Sequence, residues 1–269
     1  RDLHSFPTRR SSDLKAGFVS IIGKPNAGKS TLLNAILGQK LCIVTPKAQT
    51  TRHRIFGILS ETDYQIVFSD TPGIIKPKYR LHQKMMESVD SAIHDAEVVL
   101  LIADAKETFQ EDELLTKVKQ TNLPVLLVIN KSDLATPEEI QERTDFLKEQ
   151  LPCKETVVIS ALKKENIDQL LELILKYLPE APPYFDKDQV SDRPDRFFIS
   201  EFVREQIFLH TSQEIPYSCE VAITRFEEMP NDTIFIDAEI HVERQSQKGM
   251  LIGKKAAMVK RIGVAARKE

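Results

Sequence analysis

A glycine, four residues and then Gly-Lys-Ser occupy Gly23 to Ser30, directly after the apolar run Phe18-Val-Ser-Ile-Ile22. Glycines at such a strand-to-helix junction let successive backbone N–H groups surround an anion where a helix N-terminus already carries partial positive charge. Gly23, Asn26, Ala27, Gly28, Lys29, Ser30 and Thr31 form the candidate phosphate cradle. In it Lys29 serves as a point charge on the outer phosphates and the Ser30 hydroxyl as a ligand for Mg²⁺. Asp70-Thr-Pro-Gly73 ends a second apolar run, which supplies a carboxylate for that metal and a backbone N–H at Gly73 for a terminal phosphate. Asn130-Lys131-Ser-Asp133 ends a third. A carboxylate only accepts hydrogen bonds, and guanine offers Asp133 its N1–H and exocyclic amine, whereas adenine presents neither donor there. Seating adenine would strand a partly buried anion, so the pattern selects a guanine nucleotide, GTP or GDP. Ser160-Ala161-Leu162, at the end of the last strand-like run, supplies a backbone N–H to the guanine oxygen. Lys29, Thr51, Asp70 and Gly73 are the residues assigned to hydrolysis, Thr51 on the family grounds given below.

These groups must be held at one edge of a common scaffold. Strand-like runs at Gly17–Ile22, Arg54–Leu59, Tyr64–Ser69, Glu97–Ala103, Pro124–Ile129 and Thr156–Ile159 alternate with stretches of helical spacing at Lys29–Leu37, Glu111–Gln120, Pro137–Glu149 and Asn166–Tyr177. Several runs are apolar at every position, as strands covered on both faces are. The pattern predicts an α/β domain with a mostly parallel six-stranded sheet over residues 15–178. Pro179-Glu-Ala-Pro-Pro then reads as a stiff linker, 179–193. Beyond it a helix at Pro194–Leu209, strands at Ser218–Phe226 and Thr233–Arg244 and a helix from Lys254 predict a smaller α+β unit, 194–269.

The 269 residues suffice for two cores, and 41% hydrophobic with 29% charged residues is an ordinary globular composition. A net charge of −3 excludes a protein that coats nucleic acid over its whole surface and leaves room for a local basic patch. Three widely spaced cysteines, Cys42, Cys153 and Cys219, indicate neither a disulfide framework nor a zinc site, and fit a reducing cytoplasm. His82, His94, His210 and His241 lack metal-ligand spacing and are expected at the surface or in packing; the role of His53 stays open. The first 14 residues show no periodicity and read as a non-native leader.

Four nucleotide-type motifs in this order resemble the GTPase branch of the P-loop proteins. Within it GKPNAGKSTLLN, Pro46-Lys-Ala-Gln-Thr-Thr-Arg-His-Arg-Ile and DTPGI look like the Era type. The resemblance implies a flexible first switch in which a threonine closes onto Mg²⁺, assigned to Thr51 with Thr50 as its competitor. The position after the Asp70–Gly73 motif, a water-orienting glutamine in Ras-type GTPases, is Ile74, so slow intrinsic hydrolysis is expected. Relatives hold a potassium ion through the asparagine of the phosphate loop, here Asn26.

Ser200-Glu-Phe-Val-Arg-Glu-Gln-Ile, Gln213-Glu-Ile-Pro-Tyr-Ser and Ile240 to Lys255 resemble the C-terminal KH domain, type II, of the Era family. That implies single-stranded RNA bound over a GxxG loop, with Lys248, Gly253, Lys254, Lys255, Lys260 and Arg261 as contacts. Two departures bear on it. The residue that would close GxxG is Ala256, whose methyl either obstructs a phosphate or demands a backbone angle that alanine disfavours. The chain also stops at Glu269 in a helical stretch, where the family continues through a further strand, so the KH domain reads as C-terminally truncated. The resemblance implies a monomeric, cytoplasmic switch on small-subunit ribosomal RNA and the small ribosomal subunit, with weak peripheral membrane association as a family precedent that no basic amphipathic helix here supports. Two other readings stand beside it: an RNA-binding module with GTP as a structural ligand, and a related GTPase of transfer-RNA modification or large-subunit assembly, which the segment Glu201 to Lys255 disfavours.

Overall fold

The computed structural model describes residues 14–75, 80–107, 113–212, 214–231 and 233–269. The expected leader therefore lies outside the described residues except for Leu14, as do Gln213 and the first two residues of the helix expected from Glu111. The order is β1 (Leu14–Gly23), α1 (Lys29–Leu37), β2 (Ile55–Ser60), β3 (Tyr64–Asp70), α2 (Arg80–His94), β4 (Val98–Asp104), α3 (Glu113–Gln120), β5 (Val125–Asn130), α4 (Pro137–Gln150), β6 (Glu155–Val158) and α5 (Ile167–Tyr177). A short β7 (Glu180–Ala181) follows, then α6 (Asp195–His210), β8 (Cys219–Glu228), β9 (Ile234–Val242), α7 (Gln245–Ile252) and α8 (Ala257–Ala266).

The sheet runs β2-β3-β1-β4-β5-β6, parallel except for the antiparallel β2–β3 pair. Its central strands explain the uninterrupted apolar runs. Val99 to Ala103 and Leu126 to Ile129 are wholly inaccessible, because one core packs on each face of the sheet. Burial of each such aliphatic side chain contributes about 1.5–3 kcal/mol, which makes this sheet the rigid part of the molecule. Register then brings the strand ends together: Ile21 pairs with Asp70, Gly23 with Ile102, and Asp104 with Asn130.

Three expectations for the first domain and its linker change. Strand β1 begins at Leu14 rather than Gly17, because Leu14 and Lys15 pair antiparallel with Ala181 and Glu180, which also places Leu14 in the domain instead of the leader. The stretch 179–193 is likewise not a free spacer. Pro179 O accepts from Ala16 N at 3.1 Å, and Val190 O accepts from Ile58 N at 2.9 Å. Gln65, 2% exposed, accepts the N–H groups of Tyr184 and Phe185 at 2.7 and 2.9 Å and donates to Phe185 O at 2.9 Å. The rings of Tyr184 and Phe185 stack edge-on to Phe18 and Phe56. Proline density stiffens this segment, but a buried amide and an aromatic row seat it on the sheet. Finally, α2 is a helix that the expected alternation omits, although Met85, Met86, Val89 and Ala92 form an apolar stripe at helical spacing.

In the second unit α6 packs on β8 of the β8–β9 hairpin and α8 packs on α6, around Ile207, Ile215, Cys219, Leu251 and Ile262. Helix α7, inside the segment joining hairpin and terminal helix, was also absent from the expectation.

Candidate nucleotide site and basic loop

Gly28 takes φ 99°, and a Cβ built there would lie 2.2 Å from Asn130 Nδ2, so the loop between β1 and α1 closes only over a glycine. Gly73 is required by proximity, since a Cβ there would meet Pro25 N at 2.6 Å. The turn opens a cavity of about 440 Å³ lined by Asn26, Lys29, Ser30, Thr51, Gly73 and Lys131 among others. Ala27 is buried, and Thr31 lies on the cavity wall.

Lys29 is 6% exposed and donates to Gly23 O and Lys24 O at 3.2 and 2.8 Å, so the loop's own carbonyls hold the ammonium. Burial pulls its pKa down to about 8, against the opposing charges of Asp70 and Glu107. A bound anion would favour the charged ammonium further. Ser30 Oγ donates to Asp70 Oδ2 at 2.7 Å and lies 3.1 Å from Thr51 Oγ1. Asp70 is fully buried, its carboxyl is raised by that burial and pulled back by Ser30 and Lys29, and its Oδ1 has no hydrogen-bond partner. Three converging hard oxygens, one of them an unsatisfied buried carboxylate, are a donor set for Mg²⁺. Ser30, Thr51 and Asp70 would hold the ion, which when bound neutralises charge on the β- and γ-phosphates.

The two threonines separate cleanly. Thr51 faces Ser30, while Thr50 Oγ1 turns inward to Thr45 Oγ1 at 2.6 Å and Lys47 O at 2.8 Å. Ile74, 6% exposed, packs with Met85 and Met86 and puts no polar atom into the cleft.

At the base end, Asn130 Nδ2 donates to Ala27 O at 2.8 Å and its Oδ1 accepts from Ala161 N at 3.0 Å, which ties the phosphate loop to the base loop through one buried amide. Ser160 Oγ donates to Asp133 Oδ1 at 2.6 Å, and this fixes the carboxylate. Lys131 takes φ 65° and reaches Asp104 Oδ2 at 2.7 Å. Leu162 leaves its side chain 76% exposed and belongs to the site only through the backbone of its loop. The sequence reading missed Asp104, a carboxylate closing an apolar run at the same sheet edge, which was the signal for it. It also missed Asn34, whose amide holds the backbone of Leu41 and Cys42 by three hydrogen bonds of 2.7–2.9 Å and so fixes the root of the first switch.

The first switch, residues 46–54, also contacts the second unit. Lys47 Nζ donates to Phe208 O at 2.5 Å and to Thr211 O, at the C-terminal end of α6. Arg52 reaches Pro216 O, Tyr217 O and Cys219 O at 2.8–2.9 Å. Glu205, 3% exposed, accepts from Val44 N at 2.9 Å and Lys40 Nζ at 2.6 Å. His53 packs edge-on to Phe197, and burial lowers its pKa.

On the second unit, Lys248, Lys254, Lys255, Lys260 and Arg261 are all exposed around the turn from α7 to α8. This turn places Gly253 at φ 69°, Lys255 at φ 53° and Ala256 at φ 59°. The strain expected of Ala256 is therefore realised, a left-handed backbone on a residue with a Cβ, which costs about 1–2 kcal/mol. Ala256→Gly is expected to raise the melting temperature of the chain by a few degrees, about 1 kcal/mol once the added freedom of the unfolded glycine is subtracted. It should also tighten RNA at fixed salt by removing a methyl from the loop. Thermal melts and an RNA titration check both.

A family model described as a 50S ribosome-binding GTPase matches residues 18–131, and one described as a KH domain matches residues 214–269. GTPase ERA1, chloroplastic, from Zea mays is 46% identical over 94% of this chain and 62% of its own length. A GTPase Era-like chloroplastic protein of Oryza sativa subsp. japonica is 44% identical over 97% and 63%. The chain thus spans under two thirds of these plant relatives. GTPase Era of Geotalea uraniireducens is 46% identical over 95% of this chain and 86% of its own. Among solved structures, Aquifex aeolicus Era bound to GDP·AlF4⁻ superposes with a TM-score of 0.90 at 40% identity, covering 95% of this chain and 88% of that one. Era in complex with MgGDPNP and nucleotides 1506–1542 of 16S ribosomal RNA superposes with a TM-score of 0.88 at 39% identity, with the same coverage. Identity at this level runs through both units in their common order, and on that ground the chain belongs to the Era family of GTPases.

Proposed function

We propose that the chain binds and hydrolyses GTP with Mg²⁺, binds small-subunit ribosomal RNA through its KH domain, and acts as a nucleotide-controlled switch in assembly of the small ribosomal subunit. One observation carries the reading: Thr51, 3.1 Å from the Ser30 hydroxyl, lies between Lys47 and Arg52, which hold the KH domain. A loop fastened at both ends transmits loss of the terminal phosphate to the RNA-binding unit. The relative solved with MgGDPNP and a 16S fragment supports the choice of ligands.

Asn26 Nδ2 donates to Pro46 O at 3.1 Å, so a side-chain amide and a switch carbonyl stand together at the edge of the cavity. We assign to this pair a potassium ion that supplies positive charge where Ile74 supplies none. A cytoplasmic, monomeric protein completes the reading, with peripheral contact to the membrane as its remaining family precedent; among the described residues no helix is long and apolar enough to cross a membrane.

Phosphate release tests the whole. GTP turnover should rise severalfold with an RNA carrying the 3′ end of the small-subunit ribosomal RNA, and the potassium advantage over sodium should vanish in Asn26→Ala. Flat, near-zero turnover with and without RNA would instead favour GTP as a structural ligand of an RNA-binding module, the reading that the apolar burial of Ile74 keeps in play.

A further inference from the structure

Ile74, turned into the core, offers the γ-phosphoryl group no hydrogen-bond donor, and a cation at Asn26 would supply charge but no N–H. Among the described residues lining the cavity, Lys29, Ser30 and Thr51 are committed to phosphate and metal, and Thr45 and Thr50 satisfy one another. Asn26 and Pro46 O are the pair assigned to the cation, Lys131 is held by Asp104, and Thr31 belongs to the phosphate cradle. Gln49 is the polar lining side chain with no such commitment. It lines the same cavity as Gly73, two residues before Thr51, and holds φ 62°, a backbone angle retained where the surroundings over-determine it.

The surrounding group is visible. Gln49 Oε1 lies 3.0 Å from Nε2 of His82, which is 4% exposed in the first turn of α2. An amide oxygen carries no hydrogen, so the imidazole donates, and the Gln49 amide is oriented by its oxygen. Its two N–H donors are then the part left for a ligand. The contact joins the first switch to the helix that follows Gly73, so it forms only when both sides of the cleft are in place.

We infer that Gln49 is a catalytic residue that donates its side-chain N–H to the γ-phosphoryl oxygens of GTP, and that His82 is the positioning residue that aims it. The inference rests on the GTPase reading above. In hydrolysis the water oxygen bonds to the γ-phosphorus as the bond from phosphorus to the β–γ bridging oxygen breaks. GDP leaves with that electron pair, and both protons of the water end on inorganic phosphate, formed as H2PO4⁻. Charge spreads over the equatorial γ-oxygens during this passage, and a fixed N–H donor stabilises it without itself exchanging a proton.

Single-turnover hydrolysis at saturating GTP, paired with GTP affinity and a melting curve, tests the assignment. Gln49→Ala should slow hydrolysis by at least tenfold, toward the ~100-fold that one preorganised donor supplies. GTP affinity should stay within about threefold, the signature of an interaction made only in the transition state. His82→Leu should slow hydrolysis less, His82→Gln should restore part of the loss, and the double variant should be no slower than Gln49→Ala, because His82 acts through Gln49. Should His82→Leu fail to fold, Gln49→Ala and His82→Gln decide alone. Parental turnover in Gln49→Ala, or a loss of affinity as large as the loss of rate, overturns the inference while leaving the GTPase reading intact. A parent protein without measurable turnover sinks that reading, and the inference with it.

Discussion

Asp133→Asn is expected to weaken GTP binding by two to four orders of magnitude while leaving the chain folded. The carboxylate of Asp133 is held from behind by Ser160 Oγ at 2.6 Å, and an asparagine Oδ1 preserves that contact. What changes is the face toward the base. A carboxylate accepts both N1–H and the exocyclic amine of guanine, each such charged hydrogen bond contributing about 1.5–3 kcal/mol. An asparagine accepts one of them and sets an N–H donor against the other. Losing one charged contact and leaving the donor opposite it unpaired, together about 3–6 kcal/mol, corresponds to roughly 10²–10⁴ in affinity. Xanthosine triphosphate carries a carbonyl where guanine carries its amine, so it should recover much of the loss with the variant. ATP should bind neither protein well. Equal GTP affinity in parent and variant would show that the base does not sit against Asp133 and would remove the basis for guanine selectivity. Calorimetry with the three nucleotides checks the prediction.

The chemistry of the nucleotide site was legible because it is spelled by contiguous residues at strand ends. Gly28, Lys29, Ser30, Asp70, Asn130 and Asp133 each follow an apolar run, and parallel register delivers such ends to one edge whatever lies between them. The choice of Thr51 over Thr50 was not legible from the residues themselves. Two adjacent hydroxyls are equivalent until the inward bond of Thr50 to Thr45 distinguishes them. Nor could periodicity show that 179–193 is seated on the sheet, since the decisive group is the amide of Gln65, more than a hundred residues earlier. Proline density reported the stiffness of that segment correctly and said nothing of what it lies on. Helix α2 was readable from its own stripe of Met85, Met86, Val89 and Ala92. In the second unit, family resemblance located the basic loop, but only the backbone angle of 59° at Ala256 showed the strain it carries.

The contacts of Arg52 lead to the other large effect. Its guanidinium meets three carbonyls, Pro216 O, Tyr217 O and Cys219 O, within 2.9 Å, and Cys219 is itself buried. Truncating a hydrogen-bonded charge at such an interface costs about 2–5 kcal/mol, partly because the carbonyls lose their partner. Arg52 does not line the nucleotide cavity, whereas its neighbour Thr51 does. Arg52→Ala should therefore leave GTP affinity nearly unchanged and uncouple the KH domain from the nucleotide. Linkage makes this quantitative: the factor by which GTP in place of GDP changes RNA affinity equals the factor by which RNA changes the preference for GTP over GDP. In the parent both factors should differ from one and agree, and in Arg52→Ala both should fall toward one together. Arg52→Lys should retain only part of the coupling, because a single ammonium on a flexible stem cannot span three carbonyls as a planar fork does. Lys47→Ala should behave like Arg52→Ala, since Lys47 holds the negative end of α6 from the other side of Thr51. If the two factors persist unchanged when both clamps are cut, the first switch is not the path between the sites, and the signal must cross at Glu205 and Lys40 instead.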